Sequence, residues 1–260
     1  MSMLSSNRNS SRVLDYRDNL IVKRLEGINH VILVGGGKGG VGKSLVAATM
    51  GLLLSRSSFK TGLLDLDLHG PSLCQILKIS GQPTEEAEGL IPPSVLGLRV
   101  MSIDPFAKGR PLPLSGIAKE EIIKEILAIT AFGPLDYLII DLPPGTGDEL
   151  LTISRHIRGK ASAIIITTPS QLSIATAKRL IQILDNLKIR VIGFIENMVI
   201  EVEDGKQSPA TIEATFLGQI HFDPEVAYRL EDLEPENILK TRFAAQLKQI
   251  LLGSGFSVQI

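Results

Sequence analysis

Apolar residues fall in two alternating patterns along this chain. Short, nearly unbroken apolar runs occur at 30–34, 61–66, 98–103, 138–140, 161–168, 191–195 and 216–220. Between them lie longer segments with apolar residues three or four positions apart: Leu14, Ile21, Val22 and Leu25; Ile122, Ile126 and Ile129; residues 172–187; and Leu239, Phe243, Leu247, Ile250 and Leu251. A run of a few apolar residues suits a strand buried on both faces, and the wider spacing covers one face of a helix. Their alternation predicts an α/β fold, a doubly wound and mostly parallel sheet flanked by helices. Residues 45–54 are apolar nearly all round, so that helix is expected to be buried on most sides.

Two stretches fall outside the alternation. Residues 1–12 are Ser-, Asn- and Arg-rich with little to bury, so 1–27 reads as a flexible arm and one helix ahead of a single domain at 28–260. Residues 80–96 set Glu85, Glu86 and Glu88 among Gly81, Pro83, Pro92 and Pro93, the composition of an exposed excursion, and 110–113 reads as a loop.

Composition narrows the function classes. The net charge of -1 leaves no basic excess for a nucleic-acid surface. No apolar stretch approaches the roughly 18 residues of a membrane span. The single cysteine, Cys74, sits among Leu73, Ile76 and Leu77 and reads as a buried structural thiol; with no disulfide to form, the expected compartment is the cytoplasm. His69 reads as a loop residue, having no second metal-type residue at ligand spacing.

The chemistry concentrates where the strand pattern ends. Gly37, Lys38, Gly39, Gly40, Val41, Gly42, Lys43 and Ser44 complete the spacing G-x-x-x-x-G-K-[ST] between an apolar run and the helix opening at Leu45. Residues without Cβ let the backbone curl round a phosphate with its N–H groups inward, above the positive end of a helix dipole. Lys43 would reach the β- and γ-phosphates and the Ser44 hydroxyl would bind Mg²⁺. Lys38 is a second lysine, serving the local field or a partner subunit's phosphate. The run at 61–66 leads to Asp65 and Asp67, at the edge where open sheets bind ligands. Asp65 would orient Mg²⁺ through water and Asp67 the attacking water; a cap or turn is the other reading of Asp67. The run at 138–140 ends at Asp141, placed to hold Mg²⁺, and the following Pro-Pro-Gly loop offers the Gly145 N–H as a γ-phosphate sensor. The strand at 191–195 ends at Glu196-Asn197-Met198, and Asn197, at its carboxyl end, would meet a nucleobase edge or form a turn.

Three motifs together resemble the Mrp/ApbC family of iron–sulfur cluster carrier ATPases, within the dimeric MinD/ParA group. They are Lys38 to Ser44, Gly62 to Ser72 and Leu135 to Asp148, supported by Glu196-Asn197-Met198 and by the segment from Phe216 to Pro224. The resemblance runs from about residue 28 to 226. It implies ATP or ADP with Mg²⁺ at the interface of a homodimer, with Lys38 reaching across, Asp67 handling water, Asp141 and Ser44 serving the metal, and clients in cluster assembly. It also implies a bridging iron–sulfur cluster on a C-x-x-C pair shortly after Asn197. Those slots hold Glu203 and Lys206 here, neither a thiolate ligand. The expected function is an ATP-binding, slowly hydrolysing dimeric switch linked to cluster assembly or transfer. The alternative is a positioning ATPase like MinD or ParA, which would want a basic tail or stripe, yet residues 253–260 contain no lysine.

Overall fold

The computed structural model describes residues 15–67, 70, 72–103, 116–145, 147–157, 159–200 and 211–258. The polar arm at 1–12, His69, the loop at 110–113 and the slots at Glu203 and Lys206 lie outside the described residues.

Ten strands and nine α-helices are assigned among the described residues. Helix α1 (Tyr16–Glu26) precedes β1 (Ile28–Gly36) and α2 (Lys43–Arg56). Next come β2 (Thr61–Asp65), α3 (Leu73–Ile76), β3 (Thr84–Glu86), β4 (Gly89–Ile91), β5 (Ser94–Val95) and β6 (Leu98–Met101). The second half runs α4 (Gly116–Ile129), β7 (Leu135–Asp141), α5 (Asp148–Ser154), β8 (Ala161–Thr167), α6 (Gln171–Asn186), β9 (Arg190–Val199), β10 (Phe216–His221), α7 (Pro224–Arg229), α8 (Pro235–Ile238) and α9 (Arg242–Gly253).

Eight strands form one sheet in the order β10-β9-β8-β1-β7-β2-β6-β5, all parallel except the two-residue edge strand β5. The fold class read from the sequence is therefore the observed one. Successive residues of a strand face opposite ways, which splits the core in two. Ile32, Val34, Ile139, Ile164 and Ile166 pack with α2 and α9, whereas Val31, Leu33, Leu138, Ile140 and Ile165 pack with α1, α4, α5 and α6. Helix α2 is buried at Lys43 and from Leu45 through Leu54, as its unpatterned apolar sequence required. Helix α1 begins one residue after its cap, Asp15, and the Lys160 ammonium donates to the carbonyls of Leu25, Glu26 and Ile28 at its end. Cys74 is buried.

The structure departs from the reading in three places. The excursion at 80–96 is exposed at Glu85, Glu86 and Glu88, yet it contains the antiparallel ribbon β3–β4. Leu239 precedes the last helix instead of opening it. Strand β9 runs past its apolar stretch to Val199, because Glu196 pairs in register with Thr167 on one side and Gln219 on the other. Asn197 lies near the carboxyl end of this strand, the end at which the sequence places it.

The order places β1 between β7 and β8, so the chain leaves β1 where the sheet's winding reverses, the site at which open α/β sheets form a crevice. Val34 and Asp65 are both register partners of Asp141. The phosphate-loop strand and two of the acids thus end side by side.

Candidate active site

Residues 37–42 connect β1 to α2 in a bend that depends on two glycines. Gly40 and Gly42 have φ of 78° and 83°, the left-handed region L side chains avoid. A Cβ on Gly42 would stand 2.3 Å from Asn197 Nδ2, and one on Gly37 would stand 2.4 Å from Thr176 of α6. Gly39 and Gly40 have nothing within 4 Å of an added Cβ, so the middle of the loop is open. Asn197 is buried and its Nδ2 donates to the Val41 carbonyl at 2.9 Å. That bond makes it a brace for the loop, and any contact with a base would use its other amide hydrogen or its oxygen.

The acids are graded by burial. Lys43 is 6% exposed, and its Nζ lies 2.5 Å from Asp141 Oδ1 and 3.3 Å from Ser44 Oγ. Burial pushes the Asp141 carboxyl above its ordinary range, while the Lys43 ammonium pulls it down. Its second oxygen, Oδ2, is buried with no hydrogen-bond partner. Burial also raises Asp65, with Asp141 adding to the effect, to about 7. Both Asp65 oxygens are engaged, Oδ1 accepting from the Asp67 N–H at 3.0 Å and Oδ2 from the Ser102 hydroxyl at 3.3 Å. Asp65 thus positions the backbone of Asp67, and each of its oxygens keeps further acceptor capacity for the water-mediated contact with the metal expected from the sequence. Asp67 is half-buried, lines the cavity described below, and accepts from the Gly70 N–H at 3.1 Å. The contact with Gly70 is that of a turn residue, and the same side chain borders the cavity.

A cavity of about 570 Å³ lies over the loop. Lys38, Gly39, Gly40, Val41, Gly42, Lys43, Ser44, Leu45, Asp67 and Pro144 contribute one part of its lining, and Val226, Ala227, Tyr228, Leu230, Glu231 and Asp232 another. Sequence reasoning missed the second part, for α7 carries no motif and reaches the loop only through the fold. Half-buried Lys38 also borders a hollow of about 360 Å³ with Gly40, Thr168, Pro169, Met198 and Ile200. The Gly145 N–H, expected to sense a γ-phosphate, donates to the Gly36 carbonyl at 3.1 Å in this conformation. It is tied to the base of the loop, with φ of 93° at a position where an added Cβ would meet nothing.

These residues fit a nucleotide triphosphate and its cation. The open loop offers N–H groups, Lys38 and Lys43 supply positive charge, and the unpartnered Asp141 oxygen with the Ser44 hydroxyl gives the hard oxygen donors Mg²⁺ takes. Ser44 and Asp141 would hold the cation, which when bound offsets phosphate charge.

Comparison with known proteins gives the arrangement a context. A family model described as "ParA: NUBPL iron-transfer P-loop NTPase" matches residues 27–251. An "Iron-sulfur cluster carrier protein" of Aquifex aeolicus is 35% identical over 82% of the chain, and the chain spans 63% of that relative's length. An ADP-bound nucleotide-binding protein from Archaeoglobus fulgidus superposes with a TM-score of 0.71 at 31% identity, covering 88% of this chain and 96% of that one. The septum site-determining protein MinD of Pyrococcus horikoshii, complexed with Mg-ADP, shares the fold at a TM-score of 0.64 and 18% identity, over 85% and 93% of the two chains.

Proposed function

The chain belongs to the Mrp/NUBP-type family of iron–sulfur cluster carrier P-loop NTPases, within the MinD/ParA group, and from that premise we propose that it is an ATP-driven dimeric switch. Mg-ATP occupies the 570 Å³ cavity, its phosphates on the N–H groups of residues 37–44 and on Lys43, with Ser44 and Asp141 at the metal. Asp67, held through Asp65, orients the attacking water. Lys38 acts on the nucleotide of a second copy, and hydrolysis in an isolated subunit is slow.

One observation carries this reading: Lys38, Lys43 and Asp67 border one cavity at the sheet edge, and buried Asp141 pairs with Lys43 beneath it. The dimer draws support from the surface next to Lys38, where Met198 is 39% and Ile200 67% exposed. Apolar side chains beside a catalytic lysine are what a nucleotide-dependent contact would cover. Hydrolysis would then set how long two copies stay together, and with it their hold on partner proteins in cluster assembly. With one cysteine, only 7% exposed, the chain lacks the thiolates for a bridging cluster of its own, so clusters are handled through those partners. The same lack of disulfides suits a cytoplasmic setting.

Calorimetric titration with Mg-ATP, paired with sedimentation in its presence and absence, tests the switch. Saturable heat and an ATP-dependent shift from monomer to dimer are expected; no heat, or a constant monomer, sinks it. Anaerobic reconstitution with iron and sulfide tests the cluster assignment, and a stable visible chromophore on this chain alone would overturn it.

A further inference from the structure

The phosphate loop accounts for one end of a nucleotide and leaves the other unassigned. The cavity lining contributed by residues 226–232 holds no cation, only apolar side chains, Tyr228 and the acids Glu231 and Asp232. Negative charge there disfavours phosphate and leaves this part of the lining to the uncharged nucleoside.

Tyr228 stands out within that set. It is 80% exposed, and the chain is poor in rings, with three tyrosines and no tryptophan. Among the described residues lining the cavity it is the aromatic one. The helix that carries it is fixed from behind. Val226, two residues earlier and so about 200° round the helix, is buried in the core. Asp223 caps α7, its Oδ1 accepting from the Glu225 N–H at 3.1 Å, and ties it to α9, its Oδ2 accepting from the Phe243 N–H at 2.9 Å. Phe222 meets the Tyr228 ring edge-on, with centroids 6.2 Å apart. A ring carried on a pinned helix, braced at one edge and left open to the cavity, is a surface on which a flat ring can stack.

We propose that Tyr228 is the platform on which the nucleotide base stacks, and so a determinant of nucleoside over bare-phosphate affinity. The proposal rests on the nucleotide reading of the same cavity, and its test separates the two. Mg-ATP and Mg-tripolyphosphate are titrated by calorimetry into wild type, Tyr228→Ala and Tyr228→Phe. Tripolyphosphate samples the loop alone and also reports that each variant is folded. Stacking of a base on an aromatic side chain commonly contributes enough that its loss weakens binding by about tenfold or more. Tyr228→Ala is expected to weaken ATP about tenfold with tripolyphosphate unchanged, and Tyr228→Phe, which keeps the ring, to restore ATP affinity. An ATP-to-tripolyphosphate ratio equal in wild type and Tyr228→Ala overturns the platform. Failure of wild type to bind either compound overturns the nucleotide reading, and the platform with it.

Discussion

The loop part of the cavity lining and the α7 part are built on opposite plans. In the loop part the groups already have partners within the protein: Lys43 pairs with Asp141, Asn197 holds Val41, Gly145 is tied to Gly36, and Asp65 holds Asp67. In the α7 part an exposed ring and two exposed carboxylates face solvent, and only the helix beneath them is pinned. A loop that must grip multiple charges is thus shaped before they arrive, whereas a surface for a neutral ring needs only a pinned support. Substitutions in the first part should therefore damage fold and binding together, and those in the second binding alone.

Lys43→Ala should give the largest effect. It removes the phosphate contact and leaves the Asp141 carboxylate buried without its counter-charge, a loss that commonly costs about 3–5 kcal/mol. Mg-ATP heat should vanish, and urea denaturation should show a stability drop of that order. Adding Asp141→Asn should recover most of the stability and none of the binding. A Lys43→Ala protein as stable as wild type would mean that the ion pair does not shape the site.

Lys38→Ala comes next, and separates catalysis from grip. A cation supplied across an interface to a transferring phosphoryl group contributes roughly 10³-fold or more to rate. Hydrolysis by the dimer should fall by about that factor while Mg-ATP affinity stays within about threefold, read by phosphate release and calorimetry. Full activity in this variant would rule out the trans lysine.

Gly42→Ala should cost less, roughly 1–3 kcal/mol, the usual range for a side chain forced into the left-handed region. Part of the cost is the approach to Asn197, so Asn197→Ala in the same chain should relieve some of it and the pair should be less than additive. Strict additivity in urea denaturation would show that Asn197 does not brace the loop.

How far each part was legible follows the same division. The phosphate loop is contiguous, so its glycines, its lysines and the helix it opens can be read as one word, and Asp141 is marked by the end of an apolar run. The α7 part is assembled from residues nearly 200 positions away whose local sequence, Tyr228-Arg229-Leu230, looks like any exposed turn. The full length of β9 was hard to read for a different reason. Glu196 and Asn197 are polar yet buried, so the apolar run ends before the strand does, and only pairing with β8 and β10 reveals the remainder. The adjacency of Asp65 and Asp141, which makes one carboxyl raise the other, is a fact of register that spacing along the chain does not carry.

The smallest effect should come from a residue outside both parts, and it tests whether the loop part is as self-contained as its internal bonds imply. His156 lies just beyond α5, two residues after that helix ends, and α5 itself begins soon after the Gly145 loop. Its side chain is 8% exposed, with Nε2 3.6 Å from Asp18 Oδ1 of α1, and both atoms are buried without a hydrogen-bond partner. Burial lowers the His156 pKa below 6.5; Asp18 on α1 and its cap Asp15 oppose the shift, while Lys124 of α4 and Arg155 add to it. The unfolded chain therefore takes up a proton near 6.5 that the folded protein resists. Stability is unaffected above that pH and falls as pH drops from 6.5 towards the lowered folded value. His156→Gln should flatten this slope in urea denaturation between pH 5 and 8. Mg-ATP affinity across the same range should change alike in wild type and variant, because the loop's hydrogen bonds and ion pair make no contact with this histidine. An affinity that followed His156 protonation would instead show that α5 transmits strain into the loop, and the division between a preformed grip and its surroundings would fail.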